Sequence, residues 1–143
     1  MSGEAIGKYL SIARRAHAAL LDKKLKPYNI SHGQILLLFT LYRKEGISQC
    51  QLCQIYNLDK AGVNRSIKKL KDNDFITEKK DPEDRRRKKI FLTDRAIKFK
   101  PKLKQILNNV ESQIRNGLTE EEIKTYFKVM KKICQNLQLK GEA

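Results

Sequence analysis

Tryptophan is absent from the 143-residue chain, and aromatic residues make up only 7%. So few rings leave little to stack on unpaired bases, which argues against a single-strand nucleic-acid binder. Three Cys are too few for a disulfide scaffold, and the odd number leaves at least one free thiol, so a reducing compartment is expected. Seven Gly and three Pro exclude collagen-like or linker-like composition. The longest apolar run, Ile35–Leu41, is interrupted by Thr40, whereas a membrane span needs about twenty residues. Met1–Lys8 shows no basic flank leading into an apolar core, so no secretory signal is expected. His17 and His32 have no His or Cys partner at ligand spacing, so neither metal nor cofactor is expected. No Gly-rich phosphate loop, nucleophile elbow or paired acidic motif with a His is present, which argues against an enzyme. What the chain has in excess is positive charge: 31 Lys and Arg against 16 Asp and Glu, a formal +15. With 40% hydrophobic residues it is not a disordered polycation. The expectation is a small cytoplasmic domain with an anionic partner, nucleic acid first among them.

Hydrophobic spacing organises the chain into helices. Ile6, Leu10, Ala13, Ala16, Leu20 and Leu25 predict a first helix over about 4–25, ended by Lys26-Pro27. Ser31-His32-Gly33-Gln34 reads as a capping box opening a buried helix over 34–43, which Glu45-Gly46 stops. A second box, Ser48-Gln49-Cys50-Gln51, opens a short helix ending near Asn57, and Asp59 can cap another over 60–71. Two short helices joined by Asn57-Leu58-Asp59 form a helix-turn-helix pattern. Phe75–Lys79 and Lys89–Leu92 then read as the strands of a β-hairpin, with turn chemistry at Asp81-Pro82-Glu83-Asp84 and a basic tip at Arg85–Lys89. That order of elements is a winged helix.

The last third is helical again. Leu103, Leu107, Val110 and Ile114 form one stripe, with Pro101 marking a kink or a delayed start and Gly117 a break. Thr119-Glu120-Glu121-Glu122 is a third capping box. Ile123, Phe127, Met130, Cys134 and Leu137 follow in a heptad-like seam. The fold class is therefore mainly α with a small β-hairpin wing. One domain spans 1–143, with a winged core at about 30–100 and dimerisation helices at about 1–26 and 101–143. The flanking helices either fold back on their own core or pair with those of a second chain. Their few intrachain faces favour a homodimer.

The candidate recognition helix has Val63, Ile67 and Leu70 on one inward stripe. Lys60, Asn64, Arg65, Lys68, Lys69 and Lys71 lie around it. Arg and Asn are shaped for bidentate contact with guanine and adenine, whereas Lys suits phosphates. Ala61 and Gly62 permit close backbone approach to a groove. Taken alone, this is equally an ordinary solvated basic face. From Lys60 to Lys104 there are 17 Lys and Arg against seven Asp and Glu, so two-thirds of the excess charge sits in under a third of the chain. The Arg85–Lys89 tip cannot be core, and reads as an arm for a minor groove or flanking phosphates, or as a solubilising loop. Asp81 and Asp84 are expected to pair with a neighbouring Arg and fix that loop.

Asp81-Pro82-Glu83-Asp84-Arg85-Arg86-Arg87-Lys88-Lys89-Ile90-Phe91-Leu92-Thr93 resembles the wing signature of the MarR family of transcriptional regulators. Ser48–Ile76 is similar to that family's helix-turn-helix, including Leu52, Leu58-Asp59-Lys60, Val63, Arg65 and Leu70. The resemblance implies a prokaryotic, nucleoid-associated homodimer binding double-stranded DNA at a palindromic operator, usually as a repressor. It also implies relief by a small phenolic or lipophilic effector. By position, Ala61, Gly62, Asn64 and Arg65 fall where the family meets bases, and Arg85 and Arg86 fall in the wing, beside Arg87 and Lys88. Three positions depart from the pattern. Gly62 replaces a small hydroxyl residue, and Asp74 stands where Gly usually follows the recognition helix. Ala96 stands where Gly often follows Leu-Thr. Asn73 or Asp74 must therefore adopt the left-handed conformation.

Cys50 and Cys53 form C-x-x-C, but no βαβ pattern surrounds them, and Cys53 reads as a small core residue. Cys134 reads as packing on the last seam. Arg14, His17, Tyr28, His32 and Tyr42 are candidate effector contacts near a dimer interface. Two other classes compete with an operator-binding regulator: a nonspecific architectural DNA- or RNA-binding protein, and a pure protein-interaction module built on the heptad-like helices.

Overall fold

The computed structural model describes residues 3–56 and 60–137. Its elements run α1 (Ile6–Leu25), a 3-10 turn (Lys26–Tyr28), α2 (His32–Arg43), β1 (Ile47–Ser48), α3 (Gln49–Tyr56), α4 (Lys60–Asp72), β2 (Ile76–Lys80), β3 (Lys88–Leu92), α5 (Asp94–Arg115) and α6 (Glu120–Asn136). The expected tight turn at Asn57-Leu58-Asp59, with its Asp59 cap, lies outside the described residues.

The local signals set most helix ends. Pro27 opens the 3-10 turn, and Asn29, left-handed at φ 58°, closes it. At the head of α2 the Gln34 side-chain oxygen accepts from the Ser31 N–H at 2.8 Å and from its hydroxyl at 2.7 Å. At α3 the box is reciprocal: Ser48 N–H donates to Gln51 Oε1 at 2.9 Å and Gln51 N–H to Ser48 Oγ at 3.2 Å. At α6 the Glu122 N–H donates to Thr119 Oγ1 at 3.1 Å, and Thr119 N–H to Glu122 Oε1 at 2.9 Å. The Thr119 backbone N–H, and after it the Thr119 side chain, hold the Glu122 carboxyl below its ordinary range. Gly117 sits at φ 82° between α5 and α6.

Asp74 takes the left-handed conformation, φ 61°, as the turn after α4 demands. Phe75 N–H then reaches back to Leu70 C=O at 2.8 Å, and Asp74 C=O accepts the Thr93 hydroxyl at 2.7 Å. The polypeptide thus leaves the recognition helix and enters β2 at a defined angle.

Three features differ from the sequence reading. First, the sheet has three antiparallel strands in the order β1-β3-β2. Ile47 pairs with Ile90 and Ser48 with Lys89, after Gly46, at φ 76°, donates its N–H to Ile90 C=O at 2.8 Å. Lys88, expected in the tip alone, opens β3, where it faces Lys80, and Lys89, read both as tip and as strand, faces Lys79. Second, α5 is not delayed in its start to Pro101. It begins at Asp94, with Thr93 Oγ1 accepting from Ala96 N–H, and carries Pro101 inside it. Buried Ala96, Phe99 and Leu103 on either side of the proline hold that stretch to the core, and packing prevails over the lost helical hydrogen bond. Third, the two fates read for the flanking helices divide within α1: Leu21 and Leu25 are its buried residues, whereas Ile6 is exposed. The predicted stripe of α1 leaves the core halfway along the helix.

One hydrophobic core unites Leu21 and Leu25 of α1, Leu37, Leu38 and Leu41 of α2, Leu52 of α3, Val63, Ile67 and Leu70 of α4, Ile76 and Ile90 of the sheet, and Phe99 to Val110 of α5. Helix α6 contributes nothing to it: none of its residues is buried. Cys53 packs against this core as expected, but Cys134 of α6 has no place in it.

A long-range cap joins α1 to α2. Asp22 Oδ1 accepts from the His32 N–H at 2.8 Å and lies 2.8 Å from His32 Nδ1. The backbone hydrogen bond of His32 outweighs partial desolvation and, with the His32 side chain and the charge of Lys69, holds the carboxyl below its ordinary 3.8. A depressed carboxylate stabilises the fold above its unfolded value, and that contribution is lost as pH falls through the folded value. Asp22→Ala is expected to cost about 1 kcal/mol near neutrality, as for other lost caps. The difference in melting temperature between the two proteins should shrink below about pH 4. Thermal melts across that range check both the size and the sign.

Candidate nucleic-acid interface

Helix α4 is anchored by Val63, Ile67 and Leu70, 1%, 6% and 0% exposed. A helical repeat of 3.6 then fixes what faces outward. Ala61, Arg65 and Lys68 lie opposite the buried stripe, and all three are exposed. Lys60, Asn64 and Lys71 form the flank on one side; Gly62, Ser66 and Lys69 form the other.

The two flanks are engaged differently. Asn64 accepts a hydrogen bond from the Gln49 side-chain amide at the start of α3. Ser66 donates its hydroxyl to Gly33 C=O at 3.3 Å, tying α4 to the head of α2. Lys69 turns the same way, reaching Ser31 Oγ at 3.3 Å. Lys68 pairs with Asp72 at 3.1 Å, one helical turn away, and both side chains are well exposed. Arg65 makes no ion pair among the described residues. Among the described residues, the exposed Lys60 and Lys69 of α4 likewise make no ion pair with a carboxylate. Gln49 and Ser66 were not legible as site residues, since only the packing of α3 and α2 against α4 brings them to this face.

The wing tip is ordered by its aspartates. Asp84 Oδ1 accepts from the Arg86 N–H at 3.1 Å and from Arg86 Nε at 3.3 Å, and its other oxygen lies 3.9 Å from Arg87 Nε. The expected Asp–Arg pairing holds for Asp84. Asp81 instead accepts the Glu83 N–H at 3.0 Å, an Asx turn, while its own N–H donates to Arg87 C=O at 2.9 Å. Arg85 makes no ion pair among the described residues, and Arg86 is 92% exposed along its side chain. Exposed pairs of this kind contribute about 0–1 kcal/mol, so a phosphate can displace them at little cost.

The five candidate effector contacts do not meet in one cleft. Arg14 and His17 lie exposed on α1. Tyr28 is half-buried, its ring 4.8 Å from that of Phe99. His32 is held by Asp22. Tyr42 donates its hydroxyl to Ala96 C=O at 2.6 Å, and burial pushes its pKa up to about 12. It bolts α2 to α5 as a neutral phenol.

A basic, outward-facing recognition helix beside an ordered cationic wing matches known proteins throughout its length. The MarR family model matches residues 30–88, which span α2, α3, α4 and the hairpin to the start of β3. A MarR transcriptional regulator from Methanosarcina mazei Go1 is 30% identical, with a TM-score of 0.79 over 92% of this chain and 97% of that one. The chain belongs to the MarR family of transcriptional regulators. The uncharacterized HTH-type transcriptional regulator YybA of Bacillus subtilis (strain 168) is 26% identical over 129 residues, 90% of this chain and 86% of its own. A putative MarR family regulator from Listeria monocytogenes, whose structure is in complex with 26mer DNA, is 25% identical with a TM-score of 0.79, covering 94% of this chain and 89% of that one. Among the described residues, no helix of this MarR-family chain is long and apolar enough to cross a membrane.

Proposed function

We propose that the protein is a homodimeric, sequence-specific regulator that binds double-stranded DNA at a palindromic operator, acting as a repressor at the prokaryotic nucleoid. The observation that carries this reading is the outer face of α4, where Ala61, Arg65 and Lys68 are exposed while Val63, Ile67 and Leu70 anchor the helix. Such a face suits a major groove: Arg65 and Asn64 are the base readers, Lys60, Lys68 and Lys69 the phosphate contacts, and Ala61 and Gly62 allow close approach. Arg85, Arg86 and Arg87 would extend the contact along the adjacent minor groove, while Lys88, at the start of β3, lies 3.9 Å from Glu78. In this reading the winged core of about 30–100 docks on DNA, and the helices at about 1–26 and 101–143 join two copies.

Selection from random duplexes of roughly 30 base pairs, long enough for two half-sites one turn apart, tests it. The salt should be near 0.2 M, where nonspecific electrostatic binding is weak. Recovery of a two-fold palindrome is expected. Binding that only fades with salt and selects no motif would instead favour the architectural class. With the operator in hand, Arg65→Ala should cost about 1–3 kcal/mol and relax preference at one position per half-site. Arg85→Ala with Arg86→Ala should weaken every duplex and lower the salt slope by roughly one per lost contact. Unchanged affinity and preference in Arg65→Ala would place the helix wrongly. Relief by a small phenolic or lipophilic anion belongs to the same reading. A thermal-shift screen of aromatic carboxylates checks it, and no shift with any of them sets that part aside.

A further inference from the structure

Glu78 stands between the two DNA-facing elements. It is the third residue of β2, paired across the hairpin with Ile90. Its side chain is 18% exposed and each oxygen addresses a different lysine: Oε1 lies 3.4 Å from Lys71 Nζ in the last turn of α4, and Oε2 lies 3.9 Å from Lys88 Nζ at the start of β3. Both lysines are more than half exposed, so neither needs the carboxylate for solvation. The carboxylate is the confined partner. Its place between two cations is a charge arrangement that pure packing does not require.

Resting on the DNA-binding reading above, we infer that Glu78 is a specificity-determining positioning residue. It withholds Lys71 and Lys88 from DNA phosphates and ties the recognition helix to the wing. The physical need is plain. A chain of net charge +15, with its cations crowded on α4 and the hairpin, binds any duplex through counterion release. Each phosphate contact adds affinity for operator and random sequence alike, and so adds nothing to discrimination. The other carboxylates near this face act within one element: Asp72 and Lys68 are a well-exposed pair on α4, Asp84 holds Arg86 and Arg87 within the wing tip, and Asp81 accepts a backbone N–H there. Glu78 differs in being largely enclosed while reaching one residue on each DNA-facing element. Lys71 lies on the flank of α4 that carries Lys60 and Asn64, so a released ammonium there swings beside the groove-reading row.

The test is Glu78→Gln, which keeps the size of the side chain and one acceptor oxygen and removes its charge. Affinity for the selected operator and for a random duplex is measured by fluorescence anisotropy across a salt series. The expected result is a steeper salt dependence on random DNA, by about 0.9 for each lysine released. Operator affinity gains less, so the ratio of operator to random binding falls. Lys71→Gln and Lys88→Gln in the parent protein should leave the random-DNA slope unchanged, because those cations are already withheld. In the Glu78→Gln background each should lower it by about 0.9. A merely structural glutamate would change the melting temperature and move both affinities by one common factor, overturning the inference. So would single lysine variants that already flatten the slope in the parent, a result independent of how well Glu78→Gln folds. If the parent protein shows no operator preference at all, the regulator reading fails and this one falls with it. A parent that discriminates, with an unchanged ratio in Glu78→Gln, sinks only the role of Glu78.

Discussion

Phe127→Glu is expected to leave the winged core folded and to separate the protein into monomers, with operator affinity reduced roughly 10²- to 10⁴-fold through loss of bivalency. The reasoning begins with the faces that the single chain leaves uncovered. On α6, Tyr126, Phe127 and Val129 are exposed, Phe127 at 46%, as is Leu137 just after it, and the helix buries no residue. Ile114 and Leu118 at the α5–α6 junction are exposed too, as are Ile6, Tyr9 and Ile12 on the first half of α1. Large apolar side chains left uncovered on three elements are surface that a partner would cover. The heptad spacing of Ile123, Phe127, Met130, Cys134 and Leu137 suits a second helix lying along it. A carboxylate at the middle of such a seam is desolvated without a partner, which the interface cannot tolerate. Because α6 shares none of the core, the same change should leave far-UV circular dichroism nearly intact. Sedimentation equilibrium reports the association state and anisotropy the affinity. A Phe127→Glu protein that remains a tight dimer with parental operator affinity would remove α6 from the interface.

Phe75→Ala is expected to destabilise the fold by about 3–5 kcal/mol, the range for deleting a buried aromatic. Phe75 is 1% exposed, directly after left-handed Asp74, where α4 hands the chain to β2. Its ring meets Phe99 edge-on at 5.4 Å, and the Arg95 guanidinium lies 4.7 Å above it. Phe99 in turn touches Tyr28. One ring therefore joins the end of the recognition helix to α5 and, through Phe99, to the turn after α1. Small-to-moderate domains have only about 5–15 kcal/mol in total, so this single truncation removes a large fraction. Chemical denaturation gives the value; a loss below about 1 kcal/mol would mean the site collapses to fill the cavity. The conservative Phe75→Leu should recover much of the loss, since most of the apolar volume returns.

The parts of this architecture legible in the chain were those whose partners lie within a few residues. The Ser48–Gln51 and Thr119–Glu122 boxes close over three residues, and both form. The left-handed residue after α4 followed from the need to turn, and Asp74 supplies it. The inward stripe of α4 followed from periodicity, and its three members are buried. By contrast, β1 is two residues long and exists only because Gly46 and Ile47 meet Ile90 more than forty positions away. A start delayed to Pro101 does not occur, for a related reason: Phe99 and Leu103 find a core on each side of it, and local preference loses to packing. The α1 stripe left two fates open, and only the fold decides between them along the helix: the Leu21–Leu25 end meets the core, and the first half stays exposed.

The candidate site divides along the same line. The sequence by itself determined the charge, the helix-turn-helix and wing, the helix periodicities and which faces of α4 and α6 are apolar, because each depends on composition or on neighbours along the chain. Only the tertiary structure decided which cations are held and which stand free. Lys71 and Lys88 converge on Glu78, Lys69 on Ser31 and Asn64 on Gln49, while Arg65 and Arg85 make no ion pair among the described residues. Those pairings join residues on different elements, and their distances are set by the packing of the helices and the pairing of the strands, which no local spacing encodes.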